Sequence, residues 1–252
     1  MKTILTKTTL AAFCCVALAS AASAAVLVSE GFDYADGSLA GGNTGTGFSG
    51  AWGTGDFTVT SGKAYSNPST GTQASTQDRS LSGFSATTFT LTLDYAIVAN
   101  LEGGYDFHVV LLDSGGQTVF SLGNRNNQGS SGEFYVARLG PDGTSGGQAA
   151  YQLGSTETFD DTMAIVFNVS GSSVTAGVSS TKYPDMDTNL SRNDFGSAID
   201  FSSGGTLRIE KSGLDQMQIT VDNIQITDVP EPSASLALLG LGGLAFMLRR
   251  RK

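Results

Sequence analysis

The chain has 252 residues and sets 14 Lys and Arg against 23 Asp and Glu, a net charge of −9. That acidity excludes partners held through phosphates, so no nucleic acid is expected, and it disfavours anionic membrane surfaces. The only cysteines are Cys14 and Cys15, so the rest of the chain has no thiol for a disulfide, a thiolate metal site or a cysteine nucleophile.

The first element is a targeting pattern. Lys2 and Lys7 give a positive start, residues 10–19 form an apolar stretch too short to anchor, and Ala22-Ser23-Ala24 is a small-x-small cleavage site. Residues 1–24 are therefore expected to be a signal peptide, cut after Ala24, with export through the Sec pathway. Both cysteines leave with it. Two cations leave as well, and four more sit at 249–252, so residues 25–232 hold eight cations against 23 carboxylates, 8 − 23 = −15. Such a segment suits a soluble extracellular protein or one that binds cations.

Residues 25–228 read as one all-β domain. Glycine is abundant, 33 residues, where an average chain has about 7%. Short alternating apolar runs are separated by Gly, Ser, Asn and Asp clusters, and no 3.6-residue period is sustained. A short strand over 26–28 opens the domain, followed by Glu30-Gly31-Phe32-Asp33-Tyr34 and a Gly-rich loop over 37–55 that carries Phe48 and the single tryptophan, Trp52. Phe57–Thr60 and Lys63–Ser66 make a hairpin over Ser61-Gly62. Residues 67–80 are polar and read as loop. The strongest strand is 88–98, with Phe89, Leu91, Leu93 and Tyr95 on one face. Residues 105–112 and 117–122 form a second hairpin across Asp113-Ser114-Gly115-Gly116. Strands at Glu133–Leu139, 162–169 and 174–178 follow, then a loop over 181–200, then strands at 206–210 and 217–227. In the last of these, Met217, Ile219 and Val221 have one parity and Ile224 and Ile226 the other. Burying all five needs an extra residue near Asp222-Asn223, a β-bulge; the alternative is a strand buried on both faces at its end. Ten to twelve strands exceed what one open sheet holds, so two packed antiparallel sheets are expected.

Residues with chemical potential are few. Asp160 and Asp161 are adjacent and point to opposite faces of a strand. The Glu-x-Asp-x-x-Glu carboxylate spacing of sandwich glycosidases is absent. His108, the only histidine, shares a strand face with Asp106, a candidate acid–base pair or simply a polar residue on a sheet. Asp185, Asp187 and Asn189 offer the alternating oxygens that open an EF-hand, but Leu190 replaces the sixth-position glycine and Gly196 the bidentate Glu. The two readings there are a calcium site of another build and a solvated acidic loop. Asn168-Val169-Ser170 and Asn189-Leu190-Ser191 match the N-glycosylation pattern. Trp52, Phe48, Tyr151 and Tyr183 lie in Gly- or Pro-rich surroundings. An exposed aromatic there serves as a sugar platform, with Trp52 the first candidate; packing under the long loop is the alternative.

The C-terminus ends in three parts. Val229-Pro230-Glu231-Pro232 is stiff, residues 233–248 are uncharged and mostly Leu, Ala and Gly, and Arg249, Arg250, Arg251 and Lys252 close the chain. An apolar run of this length is at the short limit for a membrane span, and the terminal cations would stay on the cytoplasmic side. This order of Pro230-Glu231-Pro232, apolar segment and Arg249–Arg251 cluster resembles the PEP-CTERM sorting signal of Gram-negative bacteria. The resemblance implies processing by the membrane peptidase exosortase, a transient inner-membrane anchor through 233–248, and a final place at the cell surface or outside it. The bland reading is a permanent single-span anchor.

Within 25–228, the segments Glu30-Gly31-Phe32-Asp33-Tyr34, Gly47-Phe48-Ser49-Gly50-Ala51-Trp52 and Val221-Asp222-Asn223-Ile224 resemble concanavalin-like, LamG-like jelly-roll domains. The resemblance implies a two-sheet antiparallel jelly-roll sandwich and polysaccharide as a partner. The expected function is thus an exported, non-catalytic surface or matrix protein associated with exopolysaccharide. A surface protein without ligand and a polysaccharide-active enzyme are the alternatives. No cofactor is expected beyond calcium.

Overall fold

The computed structural model describes residues 23–66, 74–99, 106–126, 133–140, 148–153, 159–212 and 218–229. The signal segment up to residue 22 and the tail elements Pro230, Glu231, Pro232, 233–248 and Arg249–Lys252 lie outside the described residues. Val26–Asp228 forms one compact unit. Fifteen strands are described: β1 (Val26–Glu30), β2 (Gly37–Ser38), β3 (Phe57–Thr60), β4 (Lys63–Ser66), β5 (Ser75–Leu81), β6 (Thr88–Ala99), β7 (Asp106–Leu112), β8 (Thr118–Asn126), β9 (Glu133–Leu139), β10 (Gln148–Leu153), β11 (Phe159–Ser170), β12 (Ser173–Ser180), β13 (Thr188–Arg192), β14 (Gly205–Ser212) and β15 (Gln218–Asp228). A 3-10 turn, Pro184–Met186, is the only helical element among them. Among the described residues no helix is long and apolar enough to cross a membrane.

The strands make two antiparallel sheets. The larger runs β13-β12-β11-β6-β15-β4-β3-β2, with β1 also paired to β15; the smaller runs β10-β9-β8-β7-β14-β5. Alternation decides which residues face inward. Phe89, Leu91, Leu93 and Tyr95 of β6, Met163, Ile165 and Phe167 of β11, and Val174, Ala176 and Val178 of β12 are buried. So are Phe107, Val109 and Leu111 of β7, Phe120 and Leu122 of β8, and Leu207 and Ile209 of β14. All belong to one core cluster. The two inner faces meet through aromatic pairs: Phe57 and Tyr95 on Phe107 at 5.9 and 5.8 Å, and Phe120 edge-on to Phe167 at 5.1 Å. Each such fully buried side chain contributes about 1.5–3 kcal/mol of transfer free energy. The sandwich is therefore held by its core without a cross-link.

Of the two readings offered for the last strand, β15 carries the bulge; Met217, the first of the five apolar residues, lies outside the described residues. Its register on β6 shifts between Asp222 and Gln225, and Asn223 has φ +49°. The extra residue restores the parity, and Ile219, Val221, Ile224 and Ile226 are all buried. The bulge also divides the free edge of β15. Thr220 and Val221 pair with β4, and residues 224–227 pair with β1.

Four strands depart from the sequence expectation, the shortest being β2, which lies inside the expected Gly-rich loop over 37–55 and pairs with β3. β5 lies where a polar loop over 67–80 was read, and its inward residues explain why. Ser75, Gln77 and Arg79 are buried and polar, so the apolar alternation that marks a strand is missing. β13 and the 3-10 turn occupy part of the expected 181–200 loop; Leu190 and Arg192 are the inward pair of β13. β10, QAAYQL, has too few β-branched residues to signal a strand and is held by six pairings to β9.

Candidate functional site

Trp52 is placed inside the protein. It is 2% exposed, stacks on Phe32 at 5.9 Å, and donates its indole N–H to Glu30 Oε2 at 3.0 Å. The expectation of an exposed Trp52 platform is corrected: the ring has no free face to offer a sugar. What draws it in is a buried ion pair. Arg79, inward on β5, meets the carboxylate of Glu30 at the end of β1, and both are essentially inaccessible. Glu30 also accepts the Phe32 N–H at 2.8 Å and the Tyr34 hydroxyl at 2.9 Å. Arg79 donates to the carbonyls of Thr44 at 2.6 Å and Gly50 at 3.0 Å, with Phe48 packed on its guanidinium at 3.8 Å. Burial pushes the Tyr34 hydroxyl above its ordinary range, with the Glu30 carboxylate adding to the rise. The Gly-rich loop is thus folded down over a charged pair that joins the two sheets. Gly47 in that loop has φ +80°, and a Cβ there would strike the Leu27 carbonyl.

The other sequence candidates are dispersed. Asp185 lies in the 3-10 turn and is exposed, Asp187 Oδ1 accepts the Ser180 N–H at 3.0 Å, and Asn189 is an exposed residue of β13. One helical turn followed by a strand is not a ligand-wrapping loop. Among the described residues no group of three or more His, Cys, Asp or Glu could hold a metal ion. Asp160 is exposed beside Lys182, whereas Asp161 is buried and takes the Ser180 and Thr181 hydroxyls, as opposite faces require. Phe48 and Tyr183 are half-buried against the core. Tyr151 pairs with Tyr135 across β9 and β10.

The outward face of the smaller sheet gathers polar residues that no sequence motif announces. Register places Ser80 beside Thr206, Asp78 beside Arg208, Thr76 beside Glu210, and Glu210 beside His108. Arg208 donates to both oxygens of Asp78, Nε at 2.7 Å and Nη2 at 2.9 Å. The Asp78 bond pushes the Arg208 guanidinium further up than usual. His108 Nδ1 lies 3.6 Å from Glu210 Oε1. The imidazole is buried, its Nε2 makes no hydrogen bond, and it lies across Gly123, where a Cβ would collide with it. The sequence reading offered Asp106 as a same-face candidate partner of His108, and its side chain lies outside the described residues; Glu210, across the ladder, is about a hundred residues away in sequence and had no local signal.

At one end of this face is a pocket of about 320 Å³ lined by Ser49, Ser80, Asp113, Ser114, Ser203 and Thr206, with Leu81 its one apolar side chain. Three turns wall it. The β7–β8 turn is tied by Asp113 Oδ1, which accepts the N–H groups of Gly115 at 3.0 Å and Gln117 at 2.8 Å. Ser114 N–H donates to the Asp200 carbonyl at 2.9 Å, which fixes the turn before β14. The Ser202 hydroxyl and N–H hold the Asp200 carboxyl below its ordinary value, with Ser114 adding to the effect. Ser49 N–H donates to the Ser80 carbonyl at 3.0 Å and sets the Gly-rich loop against the β5 edge.

Two antiparallel sheets over one core define a two-sheet β-sandwich. Residues 228–252 match the PEP-CTERM protein-sorting motif. The carbohydrate recognition domain of Emp47p has a similar fold at 10% identity, covering 83% of this chain and 99% of that one with a TM-score of 0.50. The CBM2 module of the evolved Dit protein of Lactobacillus casei BL23 phage J-1 is 14% identical, over 82% of this chain and 98% of that one, at a TM-score of 0.48. The Lotus tetragonolobus seed lectin is 10% identical, over 82% and 100%, at 0.47. No curated protein matches the chain.

Proposed function

We propose that this is an exported glycan-binding surface protein, sorted by its C-terminal motif, whose ligand sits in the pocket beside Ser80, Asp113 and Thr206. Residues 1–24 direct export, 25–228 form the binding domain, and 229–252 serve as the signal that exosortase reads, with a transient anchor at 233–248. The matched sorting motif supports the surface destination. The observation that carries the binding half is the pocket. It is a shallow, open depression of ligand size, lined almost wholly by hydroxyls, turn backbone and one carboxylate. A few fixed polar groups in a preformed cleft are what orient a small polar ligand. Asp113 is the only carboxylate in the lining and is engaged by its own turn, which supports holding a ligand over proton transfer to it. A tyrosine at Ser80, an exposed position, would fill the cleft without disturbing the core. Ser80→Tyr should abolish binding on a panel of neutral glycans at unchanged Tm; binding that survives the substitution would move the site elsewhere.

A polysaccharide-active enzyme is the second reading, favoured by one observation: Asp78 and Glu210 stand on the same face with Arg208 between them. Glycoside hydrolysis uses two carboxyl groups, one of them free to give a proton. Both oxygens of Asp78 are occupied by Arg208, which favours binding over cleavage. Release of reducing ends by the wild type, lost in Glu210→Gln, would reverse that choice.

A further inference from the structure

The pocket opens onto a polar stripe. One step along β5 and β14 from Ser80 and Thr206 stand Asp78 and Arg208, and the next step brings Thr76 and Glu210. All six are exposed or half-buried. On the neighbouring strand the outward His108, Val110 and Leu112 are buried, so the open part of the face is two strands wide, about 5 Å between strands. From Ser80 to Thr76 it runs four residues, about 13 Å at the rise of a strand. That is one chain wide and several sugar rings long.

Resting on the glycan-binding reading, we propose that the pocket is one end of an elongated site along β5 and β14 that takes an internal segment of a neutral polysaccharide, with the Arg208–Asp78 pair at its centre. The stripe alternates donors and acceptors: hydroxyls of Thr76, Ser80 and Thr206, the guanidinium of Arg208, and the carboxylates of Asp78 and Glu210. Its one guanidinium is already matched by Asp78, and Glu210 leaves it without surplus positive charge to draw an anionic polymer. Neutral polyol chains complement such a surface, since each ring offers hydroxyls that both give and accept.

The test is titration calorimetry of the purified protein with laminarin, galactomannan, dextran and alginate, then with oligosaccharides of rising length from the neutral polymer that binds. Affinity should rise at least tenfold from one ring to five. Arg208→Gln and, as a second variant, Asp78→Asn should flatten that rise. Affinity independent of length, or a rise untouched by both variants, would overturn the elongated site. Preference for alginate would overturn its neutral charge assignment. Failure of every polymer and monosaccharide to bind would instead overturn the glycan-binding reading beneath it.

Discussion

Arg79 is the residue on which the N-terminal half of the domain depends. It is inward on β5, 1% exposed, and its charge is tolerable only because Glu30 reaches it from the other sheet. Removing one partner of a buried pair strands the other and costs about 3–5 kcal/mol. Trp52 shares the same carboxylate, so its role is packing and hydrogen bonding. Trp52→Ala should lower stability by about 3–5 kcal/mol in urea denaturation; a change below about 1 kcal/mol would restore it as a surface residue. The residues in Glu30–Tyr34 and around Trp52 were visible in the sequence as carriers of the jelly-roll resemblance. Their meaning was not, because Arg79, the group they converge on, lies in a stretch with no apolar periodicity. A Gly-rich loop likewise reads as open when nothing local shows the charge it folds over.

At the scale of elements, the β15 bulge was legible because parity is a strict count. Five apolar residues split between two parities cannot share a face without one residue more. β5, β10 and β13 were not legible: β5 turns Ser75, Gln77 and Arg79 inward, β13 turns in only Leu190 and Arg192, and β10 has too few β-branched residues to signal a strand. The site face was illegible for a related reason: Asp78, Arg208, Glu210 and His108 meet only through pairing across three strands. The bulge has a pH signature. Burial pushes the Asp222 carboxyl above its ordinary value, opposed by the Asn223 N–H and Lys63 and reinforced by Asp94 and Asp33. The folded state then binds that proton more tightly than the unfolded chain. Its stabilising effect is present below the ordinary carboxylate range and is lost as pH rises through the raised value. Asp222→Asn should therefore raise Tm at pH 7 by about 1–3 °C and leave it unchanged near pH 3. An equal gain at both pH values would assign the effect to packing instead.

For the whole molecule, β15 occupies a central position: β6 lies along one edge, and β4 and β1 share the other. Its four buried isoleucine and valine side chains, Ile219, Val221, Ile224 and Ile226, sit in the single core. A chain ending at residue 217 should therefore show no cooperative melting transition and should be cut readily by protease; a folded, protease-resistant fragment would deny β15 that role. Synthesis runs from the N-terminus, so β1 waits from the start for a neighbour that is made nearly last. Until residues 218–228 appear, the larger sheet is three unjoined pieces, β13-β12-β11-β6, β4-β3-β2 and β1, and loop closure across almost the full chain must precede the reward of pairing. A chain that cannot finish folding early stays threadable, which is the state a narrow translocation channel requires.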